Sequence, residues 1–135
     1  MPSKPGLAGL AVILSLVAQS AQAGDCPAKS FAMDEIIAVL NEAPGCDRAM
    51  KIFEACEYGT SGDIQFGAMV EKKCEADFLT RLEASRKLAY QREMRVCDRK
   101  YRSQSGTMYL SFTAFCRAEV AQRYSHQVAG SPSRR

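Results

Sequence analysis

Six cysteines, Cys26, Cys46, Cys56, Cys74, Cys97 and Cys116, limit what this chain can fold into more than any other feature. In an oxidising compartment an even set of this kind reads as three disulfides, though spacing alone leaves many pairings open. No two of them stand at CxxC spacing, which argues against both a redox-active pair and a zinc knuckle. The compartment follows from the start of the chain. Lys4 precedes an apolar run from Leu7 to Val17, and Ala21-Gln22-Ala23 fits a small-x-small cleavage site. Residues 1–23 are therefore predicted to be a secretory signal peptide, with Gly24 as the new N-terminus. Ser15, Gln19, Ser20 and Gln22 interrupt the roughly 18 apolar residues that a membrane span needs. Asp25 directly precedes Cys26, where a lipoprotein signal has small residues.

Removing 23 of 135 residues leaves 112, the size of one domain. Its apolar residues recur at helical spacing throughout, and no strand-like alternation occurs. Met33, Ile36, Ile37 and Leu40 mark a first helix over about 31–42, capped by Ser30 and ended by Pro44-Gly45. Ala49, Ile52, Phe53 and Cys56 mark a second over about 47–57. If it is continuous, Cys46 and Cys56 lie about 15 Å apart and cannot bond each other. After the turn Tyr58 to Gly62, Asp63 can cap a third helix carrying Phe66, Met69, Val70, Cys74 and Phe78. That helix either runs on through Glu83-Ala84-Ser85 or breaks there, with Ser85 capping a fourth that bears Leu88, Ala89, Val96 and Cys97. Gly67 counts against the third helix by about 1 kcal/mol. A final helix over about 108–127 places Tyr109, Phe112, Cys116, Val120 and Tyr124 within one arc. The expected fold is all-α, a small disulfide-stapled bundle of four or five antiparallel helices over 24–128. Residues 129–135 are expected to form a basic, disordered tail.

Charge divides the chain. Residues 24–80 hold 5 Lys/Arg against 11 Asp/Glu, a balance of −6, whereas residues 81–135 hold 12 against 4, a balance of +8. The run Arg92, Arg95, Arg99, Lys100 and Arg102 is a candidate patch for anionic partners. Export makes nucleic acid an unsuitable one. Catalytic groups are scarce. The sole histidine, His126, lies near the C-terminus, and no phosphate-binding glycine loop occurs. Carboxylate pairs such as Glu71/Glu75 and Asp34/Glu35 suit polar helix faces. An enzyme, a metal site and a cofactor are therefore not expected.

From Leu82 onward the chain resembles the N-terminal domain of LprI-type lysozyme inhibitors and related small periplasmic proteins. The segments carrying the resemblance are RLEASRKLAYQREMRVC, then SGTMY, then FCRAEVAQRY. Upstream, CEADFLTRL resembles the family's cysteine-initiated helix. Tyr90 stands where the family usually has a tryptophan, and Arg95-Val96 where it has an acidic residue. The insert Gly59 to Phe66 and the arm with Cys26 and Cys46 have no clear counterpart. The resemblance implies a Cys97–Cys116 disulfide, whose loop is worth about 3 kcal/mol on a chain-entropy model. The remaining cysteines are then expected to pair as Cys56–Cys74 and Cys26–Cys46.

The implied function is inhibition of a lysozyme in the periplasm or outside the cell. The acidic half would dock on the cationic enzyme, and the loop of Tyr58, Thr60, Ser61 and Asp63 would present Asp63 to the rim of the cleft. The alternative is a non-inhibitory envelope module that contacts anionic glycan or lipid through the basic half. Oligomeric state is left open by the sequence.

Overall fold

The computed structural model describes residues 24–130; the expected signal segment and residues 131–135 of the expected tail lie outside them. Five helices and no strand form the described residues: α1 (Met33–Glu42), α2 (Cys46–Cys56), α3 (Asp63–Phe78), α4 (Ala84–Lys100) and α5 (Thr107–Ala129). The all-α, disulfide-stapled class is as expected, at the larger helix count. The chain does break between α3 and α4, at a turn over 79–83, but Glu83 rather than Ser85 precedes the new helix. Likewise α1 begins after Ala32, and Ser30 accepts a hydrogen bond from the Ala32 amide instead of capping the helix. Ala129, expected in the tail, is the last residue of α5.

Two of the expected disulfide pairings are corrected. The bridges are Cys26–Cys56, Cys46–Cys74 and Cys97–Cys116. The reason is the α2–α3 hairpin. Its connector is only residues 57–62, so the start of α2 must lie beside the far end of α3. That sets Cys46 against Cys74, with Cα atoms 4.4 Å apart, and leaves Cys56 at the turn, where the N-terminal arm brings Cys26. The edge-to-face pair Phe53–Phe66 sits within the same hairpin. Third among the bridges, Cys97–Cys116 is the one that the family resemblance implies.

The core gathers around α5, which packs against α2, α3 and α4. Against α3 it turns Ser111, Ala114, Ala118, Ala121 and Ser125, all buried. Small residues let two backbones approach, and Gly67 of α3 sits at the closest point. A Cβ there would lie 3.0 Å from the Ala114 Cβ and 3.1 Å from its carbonyl oxygen. The glycine that lowers helix propensity thus permits the contact. Ile36, Leu40, Phe53, Phe66, Val70 and Phe78 fill the interior between the helices, each fully buried. Phe115 of α5 stacks on Phe53, ring centroids 4.0 Å apart.

Two expected apolar faces are also corrected. On α4 the buried side chains are Tyr90, Met94 and Cys97, while Leu88 and Val96 point outward at 53% and 55% exposure. On α5 Val120 and Tyr124 of the expected arc are buried but Phe112 is exposed, and the closest contact with α3 is made by the small-residue seam.

The far end of α1 shows how the bundle completes its backbone bonding. Its last carbonyls have no helical partner. Lys73 of α3 reaches across and donates to the Asn41 and Ala43 carbonyls at 2.7 and 2.6 Å.

Candidate functional site

Asp63, expected to face a partner, is fully buried. It opens α3, yet caps nothing in its own helix. Its Oδ1 accepts from the Tyr58 amide at 2.8 Å, and its Oδ2 from the Gly59 amide at 2.8 Å and the Ser111 hydroxyl at 2.6 Å. A buried carboxylate needs such partners, because desolvation without them costs several kcal/mol. Asp63 is therefore a latch that ties the loop to α3 and, through Ser111, α3 to α5. Gly59 adopts φ +68°, a conformation that favours glycine, and the Tyr58 ring lies so close over Gly62 that a side chain there would collide with it. The Tyr58 hydroxyl donates to the Phe31 carbonyl and pins the arm. Of the four loop residues only Thr60 and Ser61 are exposed, with Tyr58 half-buried.

The Glu71/Glu75 pair is likewise committed to packing, whereas Asp34 is exposed. Glu71 holds Arg117 through both its oxygens, at 2.6 and 3.1 Å, and Asp98 holds the same guanidinium at 2.7 and 2.9 Å. The Glu71 hydrogen bond is the main reason that the Arg117 pKa is raised above its ordinary value. Glu75 accepts from the Tyr90 hydroxyl at 2.8 Å. His126 and Gln122 both contact Asp47, at 2.5 and 2.8 Å, and the Gln122 bond followed by that of His126 lowers the Asp47 carboxyl below its usual range. All six cysteines are in disulfides, and no group of three or more His, Cys, Asp or Glu among the described residues could hold a metal.

The basic run is different. At 100° per residue, Leu88, Arg92, Arg95, Val96 and Arg99 fall within a sector of about 100° on α4, and all five are exposed. The buried Tyr90, Met94 and Cys97 occupy the opposite side. Charge is sorted along with apolarity. The two carboxylates of α4 both reach α5: Glu93 binds Arg123 and accepts from the Tyr124 hydroxyl, and Asp98 binds Arg117. None is left on the outward side. Arg92, Arg95 and Arg99 form no ion pair with a described residue. Arg102 lies in the turn beyond the helix, and Lys100 sits 5.2 Å from the Tyr101 ring centroid, at the same end. Tyr101 in turn meets Phe112 at 5.6 Å and Tyr109 at 5.9 Å, so the cationic stripe ends in an aromatic cluster. The structure thus brings Arg92, Arg95 and Arg99 onto one surface, with Lys100 and Arg102 at its C-terminal end.

Leu88 and Val96 are surface residues against the expectation from their apolar character. The spacing Tyr90, Met94, Cys97, Tyr101 shows the inward face, and with that face taken the two aliphatics must point out. No family model, no curated protein and no solved structure matches this chain.

Proposed function

We propose that this is a binding protein of the periplasm or cell exterior that seats the outward face of α4 on a polyanionic envelope surface, glycan or lipid. The observation carrying this reading is the absence of neutralising carboxylates from that face, although α4 has two and turns both toward α5. A solvated surface helix ordinarily intersperses the two signs. Three disulfides fit an oxidising compartment, and no described helix is long and apolar enough to cross a membrane. The test is retention of the oxidised protein on immobilised inorganic polyphosphate at rising salt. Arg95→Glu with Arg99→Glu should abolish retention, whereas Thr60→Glu with Ser61→Glu, on the loop, should preserve most of it. Retention unaffected by the α4 reversals would refute the reading.

A second reading is the lysozyme inhibition that the family resemblance implies, through the acidic half. Asp34, Glu42, Glu54 and Glu57 are exposed and form no ion pair among the described residues. Partial burial, then the charges of Asp63 and Glu54, raise the Glu57 carboxyl above its usual range. That negative crowding suits a cationic partner. Unchanged lysozyme activity at large molar excess of the protein would dismiss it.

A further inference from the structure

We infer that the surface met by α4 is an anionic phospholipid bilayer, on which the helix lies flat with Leu88 and Val96 entering the boundary between headgroups and acyl chains. The inference rests on the anion-binding reading above and narrows it to one partner.

Three observations carry it. First, the stripe mixes cations with aliphatics: Leu88 and Val96 are more than half exposed and share the sector of Arg92, Arg95 and Arg99. A glycan polyanion would use the guanidiniums and gain little from leucine and valine. A bilayer uses both, because arginine stems lie along apolar surface while their heads stay among phosphates. Second, the face is the convex side of a helix, running about 16 Å from Leu88 to Arg99. Two grooves among the described residues open off this stripe, one lined by Gly24, Arg48 and Ala55 and another by Ile64, Asp98, Leu110 and Arg117. A flat partner fits a convex stripe better than a single chain that would seek a groove. Third, beyond the end of the stripe, where Tyr101 turns inward, Phe112 beside it stays 41% exposed, an apolar ring of the kind that membrane-surface helices bury. The attachment to α5 by Cys97–Cys116 and by the Asp98–Arg117 pair leaves the whole outward side clear.

The experiment compares sedimentation with equimolar phosphatidylcholine–phosphatidylglycerol vesicles, with pure phosphatidylcholine vesicles, and with immobilised polyphosphate. The unmodified oxidised protein should bind the mixed vesicles and the polyphosphate but not pure phosphatidylcholine. Leu88→Ser with Val96→Ser should weaken vesicle binding by roughly tenfold or more, from the apolar area no longer buried, and leave polyphosphate binding unchanged. Both positions are exposed, so folding should be retained, and a circular dichroism melt verifies it. The chain has no tryptophan. Leu88→Trp therefore gives a single reporter, whose emission should shift to the blue on mixed vesicles. Vesicle binding by the double serine variant equal to the unmodified protein, or polyphosphate binding without vesicle binding, would overturn the bilayer while anion binding by α4 stands. Failure on both supports would overturn the two together.

Discussion

Removing the Asp63 carboxylate should unlatch α3 from α5 without touching any surface that a partner could reach. The carboxylate takes two backbone amides from the loop and one hydroxyl from α5, and is itself fully buried. A hydrogen bond to a charged group contributes about 1.5–3 kcal/mol, and a buried donor left unpaired costs about 1–3 kcal/mol. The sum overstates the loss, since Gly59 is exposed and water can reach its amide once the carboxylate is gone. Asp63→Ala should accordingly cost about 3–5 kcal/mol, lowering the Tm of the oxidised protein by roughly 15 °C for a domain of this size. Asp63→Asn sheds the cost of burying a charge, but its amide group meets an N–H donor, so a loss of about 1–3 kcal/mol is expected. Ser111→Ala should cost about 1–2 kcal/mol and leave both amide bonds intact. Urea unfolding gives the energies, and amide hydrogen exchange gives the place. The Tyr58 and Gly59 amides should exchange faster in both Asp63 variants and at the original rate in Ser111→Ala. A loss under about 1 kcal/mol in Asp63→Ala, or protected amides in that variant, would refute the latch.

Gly67→Ala gains up to about 1 kcal/mol of helix propensity, but its Cβ meets the Ala114 backbone, so overpacking of about 1–3 kcal/mol should make the variant less stable by urea unfolding. Burial, then the Glu75 hydrogen bond, holds the Tyr90 hydroxyl well above the ordinary tyrosine range. Its contribution is therefore complete below a pH of about 10 and lost as pH rises past that value, and Tyr90→Phe should show a smaller drop in urea midpoint between neutral and strongly alkaline buffer. Cys97→Ser with Cys116→Ser should lower stability by about 3 kcal/mol in denaturant unfolding while peptide mapping still finds Cys26–Cys56 and Cys46–Cys74.

Much of this fold is legible in the sequence once the turns are used as rulers. Cys46 and Cys74 each stand fourteen residues from Thr60, in the α2–α3 turn, so an antiparallel hairpin must bring them together. Cys97 and Cys116 flank Gly106 in the same way, nine and ten residues off. Pairing nearest neighbours across the loop, as Cys56–Cys74, ignores that register. The apolar Leu88 and Val96 suggest the wrong face of α4, whereas the true inward face is set by Tyr90, Met94 and Cys97. On α5 the aromatics are conspicuous and the alanines are not, although the alanines make the closer contact with α3. Asp63 marks the limit of such reading. Its spacing to the loop is local and visible, but its bond to Ser111 joins residues 48 apart and exists only once α3 and α5 have docked.

The order of the bridges has a consequence for how the chain reaches its oxidised state. Numbered along the sequence, the cysteines join first to third, second to fourth and fifth to sixth, so the first two bridges interlock. A chain delivered N-terminus first into an oxidising compartment exposes Cys26 and Cys46 to oxidant before any native partner has emerged. A bond between those two is available early and belongs to no native bridge. Where it forms, a later thiolate, from Cys56 or Cys74, has to attack it through a mixed disulfide before the α2–α3 hairpin can lock. Such a chain depends on thiol exchange as well as on oxidation, and on a catalyst of exchange wherever secretion outpaces the uncatalysed reshuffling time of minutes to hours. Only Cys97 and Cys116, consecutive and closed around one turn, can oxidise correctly at the first encounter.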